Sequence, residues 1–157
     1  MKKNNKSCLL IIFLILSTFS FFTKLYGSES TNFLSLKNNE VNLRQGPSFE
    51  HPVKLIYKKK YLPILIIFFY ETWRKIKDFE KNSGWIHISQ LSKRRTAINY
   101  KNNSILFKKP TIYSKPIARL ETGRLVLINK CNLKWCKITS GDFNGWINKK
   151  YLWGNVK

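Results

Sequence analysis

The sequence predicts an all-β chain in which a small antiparallel barrel occurs twice behind an N-terminal signal segment. Three observations lead to this prediction. Short runs of β-branched and aromatic residues alternate with turn-forming residues, a series of tryptophan motifs recurs after about 62 residues, and the chain begins with a basic and then an uncharged run. A length of 157 residues allows one ordinary domain or two small ones.

The N-terminus is predicted to be a secretory signal. Three lysines precede residue 7, and residues 7–23 carry no charge. This run is at the short limit for crossing a hydrocarbon core about 30 Å thick. The length therefore favours cleavage near residue 27, and an uncleaved anchor is the alternative. Either outcome predicts an exported, periplasmic chain, held at the inner membrane if the signal is kept.

The chain is strongly basic, with 29 Lys and Arg against 8 Asp and Glu and a net charge of +21. Removal of residues 1–27 leaves 25 basic and 8 acidic residues, a net charge of +17. Such a charge would ordinarily suggest nucleic acid as a partner, but chromosomal DNA is not a natural partner of an exported protein. Membrane contact stays open through an uncleaved signal or a lysine-rich surface.

Two segments repeat one ordered series of motifs. The series consists of W-x-K-I, then G-W-I, then a leucine. In the first segment these start at Trp73, Gly84 and Leu91, and in the second they start at Trp135, Gly145 and Leu152. The spacing between these motifs is nearly the same in both segments, which indicates a duplicated unit. We expect a first repeat at residues 35–97 and a second at residues 98–157.

Each repeat reads as a set of short strands. They are predicted at residues 53–57, 62–69, 73–77 and 85–88, and again at 118–120, 124–129, 135–139 and 145–147. Turn-forming residues 80–84 and 140–144 lead into the last strand of each set. Only single helical turns are expected, near residues 89–91 and 149–152. The segment 62–69 is uniformly apolar, so we expect its own barrel and the second repeat to cover its two faces.

The opening N-L-R-Q-G-P at residues 42–47, followed by G-W-I at residues 84–86, resembles the bacterial SH3-like (SH3b) family. It is most similar to the exported two-repeat form of Gram-negative bacteria. The resemblance covers about residues 35–157 and implies two tandem SH3-like β-barrels that act as binding modules. The second copy has I-L-F-K-K-P at residues 105–110 in place of the opening motif. The resemblance therefore does not imply that both copies bind the same ligand.

Two cysteines follow the signal segment. Cys131 and Cys136 flank N-L-K-W, so they would face each other across a tight hairpin within reach of a disulfide. An oxidising compartment favours the bond. The pair lacks the C-x-x-C spacing of a redox-active site, so the bond is predicted to be structural.

Aromatic and basic residues of the first repeat are the candidate ligand-binding groups. They are Arg44, Tyr57, Lys58, Lys59, Lys60, Tyr61 and Trp73. We expect Trp73 and the tyrosines to be exposed and to stack against a peptide or glycan, while the lysines, Arg44 and the basic run at 93–95 form a basic rim. A structural role in or near the core is predicted for Trp85, Trp135 and Trp146, together with Gly84 and Gly145.

No catalytic residue, metal ligand or cofactor is predicted. His51 and His87 lie far apart in the sequence, the acidic residues are scattered, and no glycine-rich phosphate loop occurs. The predicted function is an exported binding module of the cell envelope that contacts a peptidoglycan peptide or glycan, or a segment of a partner protein. The alternatives are an adaptor or inhibitor of an envelope protein that uses residues 62–69, and non-specific binding of polyanions or a membrane surface.

Overall fold

The structure is a computed structural model, and it describes residues 32–157. The predicted signal at residues 1–27 lies outside the described residues. Among residues 32–157, no helix has the length and apolar character needed to cross a membrane.

The first half of the described chain forms one antiparallel sheet of seven strands. The strands are β1 (Asn32–Leu36), β2 (Val41–Arg44), β3 (Val53–Tyr57), β4 (Pro63–Tyr70), β5 (Trp73–Lys77), β6 (Ser83–His87) and β7 (Leu91–Ser92). Their order across the sheet is β3-β2-β6-β5-β4-β1-β7.

The second half forms another seven-stranded antiparallel sheet. The strands are β8 (Thr96–Asn99), β9 (Ser104–Phe107), β10 (Pro116–Leu120), β11 (Arg124–Cys131), β12 (Trp135–Ser140), β13 (Phe143–Asn148) and β14 (Leu152–Gly154). Their order is β10-β9-β13-β12-β11-β8-β14. Each strand of the second sheet thus takes the place of its counterpart in the first, with β8 in the place of β1 and β14 in the place of β7. The predicted all-β tandem repeat is confirmed.

The sheets are not closed barrels, which corrects the predicted architecture. In the first sheet the outer strands β3 and β7 are not hydrogen-bonded to each other. The physical reason is length, since β7 has two residues and β14 has three, too few to carry a ladder round to β3 or β10. Each repeat is thus a curved sheet with two free edges.

Each sheet wraps its own apolar core. Buried side chains of the first core are Leu36, Val41, Leu43, Tyr57, Ile64, Ile66, Ile76, Ile86 and Leu91. Those of the second are Ala97, Leu106, Leu120, Val126, Ile128, Cys136, Ile138, Ile147 and Leu152. Alternation along the strands puts the intervening residues on the outer face of each sheet.

Trp153 of the second sheet contacts aromatic residues of the first repeat. The Trp153 ring on β14 lies edge-on to Phe33 on β1, with ring centroids 4.9 Å apart, and its centroid is 5.6 Å from that of Phe79. The Asn155 side chain donates to the Phe33 carbonyl at 3.4 Å.

The apolar strand β4 is covered over only part of its length, so the prediction that both faces are covered is wrong. Its first half is mostly buried and it contacts β8 and β14 of the second sheet. Its second half, Ile67, Phe68, Phe69 and Tyr70, is 45–56% exposed. A bulge between Ile66 and Phe68 shifts the register and turns this end out of the core.

Candidate functional site

A cavity of about 170 Å³ opens on the outer face of the first sheet. We call it the first cavity; it is lined by Glu40, Asn42, Arg44, Phe49, Trp73, His87 and Gln90. It exists because Val41 and Leu43 of β2 enter the core, so Asn42 and Arg44 between and after them face the other way.

The loop after β2 forms one wall of the first cavity. The Gln45 amide donates to the Pro52 carbonyl at 3.1 Å, and the Arg44 guanidinium donates to the His51 carbonyl at 2.8 Å. The loop folds tightly enough that a Cβ at Gly46 would lie 2.3 Å from the His51 ring. Glycine in the N-L-R-Q-G-P motif therefore makes room for that ring.

Aromatic rings form the floor of the first cavity. Trp73 and His87 are cross-strand partners on β5 and β6, with ring centroids 5.3 Å apart. Phe49 comes down from the loop to within 4.9 Å of the Trp73 centroid and 5.2 Å of the His87 centroid. His87 is held in turn by Ser89, whose backbone amide donates to its Nδ1 atom.

Trp73 is 5% exposed, so the prediction that it forms an exposed stacking wall is wrong. Phe49 covers the ring from outside. No local sequence pattern indicates this contact, because Phe49 lies in a loop and reaches Trp73 only in the folded chain. The part of Trp73 that stays accessible lines the cavity.

The first cavity carries opposite charges at the two ends of β2, since Glu40 directly precedes this strand and Arg44 is its last residue. Glu40 and Arg44 are four residues apart, so their backbones are separated by about 13 Å at a rise of about 3.3 Å per residue. Asn42 lies between them. The Arg44 guanidinium is also 5.8 Å from the Phe49 ring centroid. The cavity therefore offers a cation and a carboxylate on the two sides of an aromatic floor.

Tyr57 lies in the core and not at the cavity, which contradicts the prediction that it is exposed. Its hydroxyl donates to Asp78 Oδ2 at 2.8 Å. Burial, followed by this hydrogen bond and the Asp78 charge, raises the pKa of Tyr57 far above its ordinary value. Asp78 also accepts from the Asn82 amide and side chain at 2.7 and 2.9 Å.

The two basic runs of the first repeat meet at Tyr61. The Lys60 ammonium and the Arg94 guanidinium each lie 5.0 Å from the Tyr61 ring centroid. Lys58 and Lys59 line another cavity, of about 380 Å³, beside Phe79 and Ile98. Arg44 lines the first cavity instead, so the predicted rim is divided between separate surfaces.

The glycine of the G-W-I motif allows a close approach between strands in both repeats. A Cβ at Gly84 would lie 2.7 Å from the Arg44 carbonyl, and one at Gly145 would lie 2.7 Å from the Phe107 carbonyl. Glycine thus lets two strands approach closely. Trp85 and Trp146 next to them are half-buried, and Trp135 is buried against Phe107.

The predicted disulfide between Cys131 and Cys136 is confirmed. The two residues are cross-strand partners at the end of the β11–β12 hairpin, with Cα atoms 4.0 Å apart. Asn132 closes the turn by accepting from the amides of Lys134 and Trp135. In the part of the chain that the structure describes, no three His, Cys, Asp or Glu side chains form a group that could hold a metal ion.

Comparisons with known proteins agree with the repeated architecture. The family model of the bacterial SH3 domain matches the chain twice, at residues 37–93 and 100–154. No protein of curated function matches the sequence significantly.

Similar solved structures include NlpC2 and NlpC1 of Trichomonas vaginalis and an NlpC/P60 family protein of Bacillus cereus. They share 13%, 12% and 10% identity with this chain at TM-scores of 0.37, 0.35 and 0.34. The matches cover 81%, 80% and 78% of this chain but 49%, 47% and 56% of theirs, so it spans about half their length. Likeness at this level carries no functional argument.

Proposed function

The chain belongs to the bacterial SH3 domain family, and from this we propose that it is an exported binding module of the cell envelope whose first cavity holds a peptide segment of the cell wall. The proposed compartment is the periplasm, with the signal cleaved or kept as an anchor. The carrying observation is that Glu40 and Arg44 flank one aromatic floor.

This charge arrangement supports a peptide ligand. A wall peptide carries carboxylates and an amino group, so one carboxylate can pair with Arg44 while an ammonium group pairs with Glu40. Phe49 and the accessible part of Trp73 offer apolar contact between the two charges. A glycan would use the same floor but would leave both charges without a partner of opposite sign.

Binding without catalysis is part of the proposal. Both cysteines of residues 32–157 are joined in the disulfide, so neither is a free thiol nucleophile. His51 and His87 are each hydrogen-bonded to a nearby serine, Ser48 and Ser89. These are local contacts that fix a loop and a turn.

The test is a pull-down of the full chain with purified, insoluble peptidoglycan at moderate salt. A hydrogen bond to a charged group contributes about 1.5–3 kcal/mol. Arg44→Gln removes such a bond to the ligand carboxylate and should therefore weaken binding by about tenfold or more. Glu40→Gln should weaken it as well without touching the loop. Arg94→Gln is the matched control, since it removes one cation at Tyr61 outside the first cavity.

Equal losses in Arg44→Gln and Arg94→Gln, together with loss of binding at high salt, would instead indicate non-specific polyanion binding. Retention of binding by both cavity variants would overturn the proposal.

The exposed end of β4 favours one second candidate function, that of an adaptor on an envelope protein. Ile67, Phe68, Phe69 and Tyr70 are exposed and alternate between the two faces of the strand, and Phe68 and Tyr70 lie edge-on to Trp85 on one of these faces. A photo-crosslinking amino acid at Phe69 should capture a specific envelope protein in cells, while the same group at exposed Tyr113 should not. Identical products from both positions would exclude an interface at β4.

A further inference from the structure

The second repeat has a cavity at the position of the first cavity. This second cavity, of about 190 Å³, is lined by Lys101, Asn103, Ile105, Phe107, Ile112, Trp135, Asn148 and Tyr151. The pairing of residues between neighbouring strands shows which residues of the two cavities correspond. Trp135 pairs with Asn148 as Trp73 pairs with His87, and Phe107 pairs with Trp146 as Arg44 pairs with Trp85.

The chemistry of the two cavities is different. Each ionisable group of the first cavity has a neutral residue at its place in the second: Asn103 for Glu40, Phe107 for Arg44 and Asn148 for His87. Both neutral polar residues of the first cavity are replaced as well, with Ile105 for Asn42 and Tyr151 for Gln90. A ligand ammonium group that pairs with Glu40 in the first cavity therefore has no acidic partner in the second, where the only charged residue among the described lining residues is Lys101.

Apolar side chains form the walls of the second cavity. Phe107 lies edge-on to Trp135 with ring centroids 5.7 Å apart, and Ile105 and Ile112 are exposed at the opening. A cavity of about 150 Å³ accommodates benzene. The second cavity thus fits one ring-sized or branched side chain.

Two lysines lie beside Tyr151, which lines the second cavity. The ammonium groups of Lys101 and Lys150 lie 5.6 and 5.2 Å from the Tyr151 ring centroid. Among the described residues that line the cavity, none is acidic. The charge therefore complements a carboxylate that lies next to the apolar group.

The turn that carries Lys101 is fixed before any ligand binds. Asn99 is fully buried, and its amide group donates to the carbonyls of Lys101, Leu120 and Glu121 at 2.8, 3.2 and 2.9 Å. Its oxygen accepts from the Ser104 hydroxyl at 2.9 Å. This preorganisation lowers the entropy cost of binding.

We propose that the second cavity binds a peptide segment of a partner protein that carries an aromatic or branched apolar side chain next to an acidic one. The site goes beyond the function proposed for the first cavity and does not depend on it. Together the two sites would make the chain a bridge between two different ligands.

The probe is the blocked peptide acetyl-Gly-Phe-Glu-amide, titrated into the full chain while NMR follows the indole N–H of Trp135. Acetyl-Gly-Phe-Gln-amide lacks the charge and acetyl-Gly-Ala-Glu-amide lacks the ring. We expect the first peptide to bind about fivefold or more tightly than either comparator. Lys101→Gln should remove the preference for Glu over Gln.

Ile105→Asn introduces into the second cavity the side chain that Asn42 provides in the first. This substitution should weaken binding of the Phe-Glu peptide about tenfold. Its matched control is Ile117→Asn, because both isoleucines are 37% exposed and Ile117 lies outside the cavity. The control should bind as the natural chain does.

Equal affinity for the three peptides, no effect of Ile105→Asn, or a response at Trp73 in place of Trp135 would overturn the inference. The wall pull-down is read separately. Lost peptide binding with intact wall binding overturns only this inference, and the reverse result overturns only the function of the first cavity.

Discussion

Tyr57 donates its hydroxyl hydrogen bond to Asp78 inside the first repeat, and this buried pair ties β3 to the turn after β5. The aromatic ring belongs to the core, while the hydroxyl satisfies a carboxylate that is itself buried. Such a group stabilises the fold only in its neutral form, since the phenolate would face Asp78.

This pair makes stability depend on alkaline pH. The pKa of Tyr57 is raised in the folded chain, so the folded state keeps a proton that the unfolded chain releases near pH 10. The contribution of Tyr57 is thus complete below about pH 10 and is lost as the pH rises above it.

We expect Tyr57→Phe to cost about 1 kcal/mol at pH 8 and to reduce the fall in stability between about pH 9.5 and 11. Urea unfolding at each pH measures both effects. Tyr113→Phe is the control, because Tyr113 is 92% exposed and should leave the pH profile unchanged. The same alkaline slope in the natural chain and in Tyr57→Phe would contradict the assignment.

The sequence predicted some of the individual residues of the candidate site. Arg44 and Trp73 were both expected at a ligand site, and they do line one cavity. Phe49 and His87 were missed because their places depend on the fold of a loop and on the register of β5 with β6. Neither is visible in the local pattern of the residues.

The loop after β2 and its counterpart after β9 explain why the two repeats begin differently. In the first repeat, Gly46 accommodates the ring of His51. In the second, Lys109 stands at the glycine position and its amide donates to the Ser114 hydroxyl at 2.9 Å. The larger residue is tolerated because its partner is small.

A double-mutant cycle tests this pairing. Gly46→Ala should cost about 1–3 kcal/mol, because the new Cβ pushes the His51 ring away from its hydrogen bond to Ser48. In a His51→Ser background the same change should cost little, which gives a coupling energy between the two positions.

Chemical unfolding of the four chains supplies the free energies. Lys109→Ala in the second repeat should be close to neutral and serves as the control. Additive effects of the two substitutions at positions 46 and 51 would show that the ring does not impose the glycine.

Strands with clear alternation or strong β-branched content were predicted to within a few residues, as for β5 and β11. Strands β1, β2, β8 and β9 were not predicted, and neither were the short strands β7 and β14, because runs of two to five residues carry little or no periodic pattern. The exposure of the end of β4 was also missed, since composition gives no sign of the bulge that redirects it.

Basic residues of the described chain are spread over both repeats. Seven Lys and Arg side chains lie within 6 Å of an aromatic ring centroid, and they are found in both repeats. Many cations are thus placed by local packing on aromatic rings. The net charge of +21 is accordingly a poor guide to a single partner.

Trp153 should make the two repeats unfold together. Its contacts with Phe33 and Phe79 are the aromatic contacts between the sheets within the described residues. Each such pair contributes about 0.5–1.5 kcal/mol beyond area burial, so Trp153→Ala should separate one unfolding transition into two.

Hydrogen exchange that resolves both repeats measures this coupling. Trp146→Ala is the matched control, because Trp146 contacts Lys130 of its own repeat and should leave unfolding concerted. A single transition in Trp153→Ala would show that other contacts couple the sheets.

The pairing of Gly46 with His51 also constrains how the two copies diverged after duplication. A lysine opposite a histidine is disfavoured by the packing of this loop, whereas glycine is compatible with either partner. We therefore expect Gly46→Lys to destabilise the loop when His51 is present and to be tolerated after His51→Ser. The space beside one imidazole would then set the order in which these two substitutions can be made without loss of stability.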